Sequence, residues 1–414
     1  MEDFLTNEVI NRLLDYIKVV RNQTKKLVEC LEIDDQVIQT ANYVSPIKWH
    51  LGHTSWFFEK FILAKYCKNY KFFNEEYDFI FNSYYETVGH FNLRKNRGNL
   101  SRPSLKEVNE YTLHVDKNLD LLFDICNVDL ENLLNIALNH EQQHQELILM
   151  DIKHILYSNV SKPRFIDKTI GENADSRKKN EFVLNNSVET KYGYEGSEFS
   201  FDNERPSSNV TITPFILTEF ITNEDWLAFI EDKGYDRPEL WLSDGWEFIN
   251  KNNINKPMYW IDNKSLFSLN GVEKINLDSP VSHISFYEAM AFARYKKTVL
   301  PTEIELEYVL NNTKKSGNLI ENKIFKEHSY TSERFFDNFY GNLWVWSSSP
   351  YLPYKNYRSY EGSLSEYNGK FMCNQYVLKG GSFATSINHI RATYRNFYYP
   401  HNRWQFVGLR LIKK

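Results

Sequence analysis

The stretch Asn139-His140-Glu141-Gln142-Gln143-His144-Gln145-Glu146-Leu147 decides how this chain is read. Two histidines four residues apart share one face of a helix, with Cβ atoms about 6 Å apart. At that spacing two imidazoles reach one metal ion. Apolar residues flank the segment: Leu133, Leu134, Ile136, Ala137 and Leu138 before it, and Leu147, Ile148, Leu149 and Met150 after it. The helix therefore belongs to a core, and its histidines face an interior or a cleft. A His-x-x-x-His pair alone is commonly structural. A second pair lies far upstream, in Lys48-Trp49-His50-Leu51-Gly52-His53-Thr54-Ser55-Trp56. Two separate helices presenting histidines to one bundle predict a shared metal site.

The third ligand is expected from His53 or His50. His53, one turn before Trp56-Phe57-Phe58, is the favoured one, with His50 packing beside it or supporting it. Three neutral imidazoles suit iron, zinc, copper or nickel. The string His140-Glu141-x-x-His144 also matches the zinc-protease motif, with Glu141 as general base. The upstream pair and a helical bundle do not fit that reading. On Fe(II), three facial imidazoles leave positions open and the dipositive charge uncompensated. Such a site favours an anionic thiolate and oxygen as partners, which suits oxidative sulfur chemistry.

The wider composition is consistent with an enzyme of two or three domains. The chain has 414 residues, 42% of them hydrophobic and 16% aromatic, enough for large cores. Its net charge is −5 with acids and bases interspersed, so neither nucleic acid nor a membrane surface is an expected partner. Cys30, Cys67, Cys126 and Cys373 are scattered without a C-x-x-C, so no disulfide framework or cysteine zinc site is expected. The N-terminus carries no signal-peptide core, and no apolar run is long enough to span a bilayer. The expected compartment is the cytoplasm.

Residues 1–158 read as a four-helix bundle. Val9, Ile10, Leu13, Leu14, Ile17, Val20 and Leu27 recur at helical spacing over 7–33. Pro46 opens the helix that carries His50 and His53. Ser104 is the expected N-cap of a third helix, with Glu107 at the capping-box position, running to about residue 125. The fourth, from about residue 129, carries His140 and His144. Bundle cores are common places for metal sites. Residues 159–182 are polar and read as a linker. Residues 183–414 read as an α+β domain, in which short apolar runs alternate with turn clusters such as Asn203-Glu204-Arg205-Pro206 and Leu242-Ser243-Asp244-Gly245. Helices are expected at 223–232 and 285–295, with long ordered loops elsewhere.

These residues are familiar as a set. The first half resembles a DinB-like bundle. The second resembles the formylglycine-generating-enzyme (sulfatase-modifying factor) domain, a C-type-lectin-like fold. Its marks are Asp202-Asn203-Glu204-x-Pro206, Pro280-Val281-x-His283-x-Ser285, Leu300-Pro301-Thr302-Glu303, Gly341-Asn342-x-Trp344-x-Trp346-Ser347, Gly380-Gly381-Ser382-Phe383 and Trp404-Gln405-Phe406-x-Gly408-x-Arg410. The pairing is similar to the ergothioneine-biosynthesis sulfoxide synthases, or hercynine oxygenases, over nearly the whole chain. The resemblance implies non-haem Fe(II), O₂ as co-substrate, and a C–S bond formed between the imidazole of hercynine (trimethylhistidine) and a thiol.

Carried over residue by residue, the resemblance implies His53, His140 and His144 as iron ligands and Gln143 as an imidazole-substrate contact. Tyr84 and Tyr85 resemble the catalytic tyrosines of the subgroup that uses free cysteine. A phenol with an ordinary pKa of about 10 can hold a proton for oxygen chemistry. Arg94 and Arg97 fall where the family binds the thiol substrate's carboxylate, a task suited to the guanidinium fork. Asn396, Phe397 and Tyr398 are expected to line the pocket for the imidazole substrate, where aromatic faces attract a quaternary ammonium. Trp404 is a weaker candidate, expected in the core. Phe383-Ala384-Thr385 lacks the cysteine that formylglycine generation needs, and Cys373 stands alone, so that activity is not expected. Histidine, gamma-glutamylcysteine or a selenium donor are alternative substrates. A zinc-dependent hydrolase or thiol transferase, and a binding module with a structural metal, are alternative classes.

Overall fold

Helix α6, Val128–Ser158, runs the length of the first compact unit. The computed structural model describes residues 2–125, 127–166, 181–328 and 339–413. The helix starts where Asn127 leaves extended backbone and its side chain accepts from the Leu130 N–H, with Asp129 and Glu131 placed favourably in the first turn. Three further long helices surround it: α1 (Glu2–Val28), α2 (Ile47–Phe58) and α5 (Leu105–Asn118). A π-helical turn, Glu59–Leu63, joins α2 to the short α3 (Ala64–Tyr66), and α4 (Tyr77–Phe81) follows. Helix α1 packs on α6, and α2 packs on both α5 and α6. Ile10, Leu14 and Ile17 of α1, Trp56 and Phe57 of α2, Val108 and Val115 of α5, and Leu134, Ala137 and Ile148 of α6 fill the core. This is the expected four-helix bundle.

Its boundaries differ from the sequence reading in two places. Helix α1 stops at Val28, short of residue 33, because Ile33 is 68% exposed and no packed face rewards another turn. Helix α5 has the expected Ser104–Glu107 capping box but ends at Asn118, where a 3₁₀ turn, Leu119–Leu122, tightens the chain.

A polar cluster crosses the bundle interior. The Arg21 guanidinium donates to Asp116 at 2.5 Å, to Glu141 at 2.9 Å and to the Ser55 hydroxyl at 3.0 Å. The other oxygen of Glu141 accepts from Thr24 at 2.6 Å. Glu141 is thus held from the α1 side, as expected for a residue one position, about 100° around the helix, beyond His140.

Helix α2 approaches Phe81 so closely at Gly52 that no side chain fits. A Cβ there would lie 2.1 Å from the ring of Phe81, itself buried. Gly52→Ala is expected to destabilise the protein by about 1–3 kcal/mol, the usual cost of overpacking. Thermal unfolding checks this, and an unchanged Tm would mean that Phe81 moves aside freely.

The compact units are Met1–Phe165 with Tyr360–Tyr367, and Ile166–Ser359 with Asn368–Lys414. Residues 167–180, most of the expected linker, lie outside the described residues. The second unit is α+β. Its four-stranded sheet has the order β11-β10-β9-β12, formed by Asn396–Tyr398, Tyr376–Lys379, Trp344–Pro350 and Val407–Gly408. Strand β10 pairs antiparallel with β9 and β11, and β12 runs parallel to β9. A three-stranded sheet joins Phe182–Leu184, Phe215–Leu217 and Ile412–Lys413 as β1-β4-β13. Helices at Asn223–Glu231 and Phe286–Tyr295 fall where expected.

Two helices were not anticipated, Ser243–Lys251 and Glu303–Asn311. By its residues alone Leu242-Ser243-Asp244-Gly245 reads as a turn. It opens a helix instead, because Gly245 is buried against Tyr287 and the close approach, not a turn, requires the glycine. Glu303–Asn311 carries a complete Thr302–Glu305 capping box, whose Thr-x-x-Glu signal is visible in the sequence. Among the described residues no helix is long and apolar enough to cross a membrane.

Candidate metal centre

Three imidazoles converge inside the bundle. His53 comes from α2, and His140 and His144 come from successive turns of α6. One ring nitrogen from each lies within 4.8 Å of the other two. All three residues are buried. Burial, reinforced by their mutual repulsion, pushes His53 and His144 well below the ordinary imidazole value, and burial pushes His140 down to about 3. At neutral pH the rings are therefore neutral, the form with a lone pair to give a metal.

Outer partners decide which nitrogen each ring offers. The His53 Nδ1–H donates to the Phe81 carbonyl at 2.6 Å, so Nε2 carries the lone pair. His53 Nε2 lies 3.1 Å from His140 Nε2. Metal–imidazole bonds of about 2.1 Å at a right angle would separate two nitrogens by about 3.0 Å. His144 Nδ1 lies 2.9 Å from His50 Nδ1. His140 Nδ1 is buried and has no hydrogen-bond partner among the described residues. The donor set therefore fits one divalent transition-metal ion held by three neutral nitrogens. His50, the other histidine of the upstream pair, lies behind the triad and bonds Asp151 at 2.9 Å.

Aromatic rings wall the site. Trp49 stacks on His53 with ring centres 4.6 Å apart and planes 11° apart, while Phe57 lies 4.4 Å from His140. Trp49 is also fixed by its indole N–H, which donates to the Ile80 carbonyl. On Trp49 sits the guanidinium of Arg97, 3.2 Å from the ring centre. Arg97 is buried, donates to the Ser45 hydroxyl at 2.9 Å, and has an Nε with no hydrogen-bond partner among the described residues. Burial holds its pKa well below the usual arginine range. Arg94, three residues earlier in the same 3₁₀ turn, is exposed.

Tyr85 is fully buried against Trp56 and Phe61, and its hydroxyl meets that of Tyr84 at 3.4 Å. Burial, with Tyr84 and Tyr367 adding to it, raises the Tyr85 phenol well above its ordinary value. The loop carrying these tyrosines is pinned by Glu366, which accepts from the Glu86 and Thr87 N–H groups at 3.1 and 2.9 Å.

Sequence reasoning missed Tyr367. Its buried ring lies 5.9 Å from His140, and its hydroxyl donates to the Gln143 side chain at 2.5 Å. It comes from Tyr360–Tyr367, which belongs to the first unit although it lies more than 190 residues after Phe165 in the chain (360 − 165 = 195). No local pattern announces it.

The bundle thus brings together His53, His140, His144, Gln143, Tyr84, Tyr85 and Arg97. Asn396, Phe397 and Tyr398 belong to the second unit, on strand β11. There Phe397 stacks on Tyr351 at 4.0 Å and Tyr398 meets Trp404 edge-on at 5.3 Å. Trp404 itself is buried, as expected.

Residues 169–335 and 331–414 match the model of the sulfatase-modifying factor enzyme 1-like domain. The chain is 26% identical over 434 residues to a protein of Mycolicibacterium smegmatis named hercynine oxygenase, covering 96% of this chain and 98% of that protein. It is 28% identical to the hercynine oxygenase of Mycobacterium tuberculosis over 51% of this chain and 55% of that one. Among solved structures, PvdO from Pseudomonas aeruginosa aligns with 58% of this chain and 100% of its own, at 13% identity and a TM-score of 0.38.

Proposed function

This chain belongs to the sulfatase-modifying factor enzyme 1-like family, and we propose on that premise that it is a cytoplasmic, iron-dependent hercynine oxygenase. In this reading it joins the imidazole of hercynine to cysteine through a new C–S bond, at the expense of O₂, and yields a sulfoxide on the way to ergothioneine. The observation that carries the reading is the buried, neutral His53–His140–His144 triad. Similarity to a hercynine oxygenase over 96% of the chain supports the choice of substrate. A zinc-protease mechanism would need Glu141 as base, and Arg21 and Thr24 already hold that carboxylate.

A ferrous ion held by the triad would supply the activation of dioxygen. The chain's own residues do the rest. Arg97 is a buried cation with no carboxylate partner among the described residues, and a buried charge of this kind calls for an anion. The carboxylate of cysteine fills that need, with Arg94 as the outer cation. Gln143 orients the imidazole substrate from the turn between the two α6 ligands. Tyr85, kept protonated by burial, holds a proton for transfer, with Tyr84 in hydrogen-bonding reach. In the second unit, Asn396, Phe397 and Tyr398 offer a polar group and aromatic faces of the kind that bind a quaternary ammonium.

The test is anaerobic reconstitution with Fe(II), then O₂ with hercynine and cysteine. A sulfoxide adduct detected by mass spectrometry is expected, and its absence with iron bound rejects the reading. A panel with histidine, gamma-glutamylcysteine and selenocysteine fixes the acceptor and donor. Tyr85→Phe and Tyr84→Phe should divert product toward simple cysteine oxidation, and Tyr367→Phe measured alongside tells which phenol matters. Unchanged product ratios in both Tyr84→Phe and Tyr85→Phe would remove those two from the chemistry.

A further inference from the structure

We infer that Asp151 and His50 act as a two-residue relay that fixes the tautomer of His144, so that its Nε2 is presented to the metal. The inference rests on the metal reading above. The relay is a chain of short contacts among buried groups. His50 Nε2 lies 2.9 Å from Asp151 Oδ2, and His50 Nδ1 lies 2.9 Å from His144 Nδ1. The same Asp151 oxygen accepts the Ser45 N–H at 2.8 Å, which fixes the carboxylate.

The direction of the relay follows from what each group can do. A carboxylate only accepts, so the proton between Asp151 and His50 sits on His50 Nε2. A neutral His50 then has a lone pair on Nδ1, and His144 must donate to it from its own Nδ1. The lone pair of His144 is left on Nε2. The same contact occupies His144 Nδ1, which leaves Nε2 as the nitrogen that can turn to a metal shared with His53 and His140. A carboxylate behind a ligating imidazole also makes the ligand more basic.

The three ligands differ in this respect. Among the described residues, His53 leans on a neutral backbone carbonyl, His140 Nδ1 has no hydrogen-bond partner, and only His144 is backed by a path that ends in a carboxylate. His144 is therefore the anchor of the set. The sequence holds only a hint of this, in the second histidine of the upstream pair and an aspartate seven residues after His144 (151 − 144 = 7), on the same face of α6.

The experiment compares the full-length wild type with Asp151→Asn, His50→Leu and His50→Gln, by chelator competition with Co(II) and with Fe(II) under anaerobic conditions. An asparagine can keep an accepting oxygen toward the Ser45 N–H and His50 Nε2–H but carries no charge, so the relay loses its carboxylate end. A leucine ends the relay. A glutamine can donate to Asp151 and accept from His144, and so can replace the ring.

Asp151→Asn and His50→Leu are expected to weaken metal binding about 10–100-fold, with His50→Gln within a few-fold of wild type. Thermal unfolding of the metal-free proteins shows whether packing has changed. Equal affinity in all four proteins, or an equal loss in all three variants, overturns the inference while leaving the metal site standing. Failure of the wild type itself to bind either ion overturns the metal reading, and the relay with it.

Discussion

His144→Ala should strip the metal from the protein and end turnover. The residue gives a lone pair directly, so its loss should weaken binding by more than the roughly 10–100-fold that follows loss of an outer partner. His53→Ala and His140→Ala should behave alike, since each removes one of three neutral donors. Metal content after dialysis against a weak chelator measures the effect. Retention of a full complement of metal by any of the three alanine variants would show that the ion is held elsewhere. Folding should survive the change, because burial has left these imidazoles uncharged and no ion pair among the described residues depends on them.

The second large effect concerns stability. Arg21→Ala should cost about 3–5 kcal/mol, the usual result of stranding a buried partner of an ion pair. Without Arg21, among the described residues Glu141 keeps only its bond from Thr24, and Asp116 keeps only Lys25, at 2.9 Å. Glu141 and Arg21 are both buried, so water cannot replace the lost donor. Denaturant unfolding monitored on the bundle measures the loss, and a change below about 1 kcal/mol would place the cluster among weak surface pairs. Replacing Arg21, Glu141 and Asp116 together with apolar residues of similar volume should cost far less, because no charge is then left without a partner. The two predictions separate neighbouring positions on one helix: loss of His140 should cost the metal, while loss of the partner of Glu141 beside it should cost stability.

Much of this was legible in the chain before any fold was known. Four amphipathic segments, the Ser104–Glu107 box and two histidine pairs predict a bundle with a metal site, because helical period and capping are local properties. The structure groups His53, not His50, with His140 and His144, and only the spacing of Asp151 from His144 hints at what stands behind His50. Local signals run out where a residue's role comes from a distant partner. Gly245 reads as a turn until Tyr287 is seen against it. Arg94 and Arg97 look equivalent in a basic loop, yet one is exposed and the other lies buried on Trp49. Tyr367 has no local mark at all, and only the folded chain brings it beside His140.

The grafted segment Tyr360–Tyr367 has a practical consequence. A protein shortened to its first 165 residues would keep every imidazole of the triad but forfeit both the hydroxyl that bonds Gln143 and the clamp that Glu366 puts on the tyrosine loop. Such a fragment would be a vessel without its stopper. A synthetic peptide spanning 360–367, added in trans, would be the natural piece with which to try closing it.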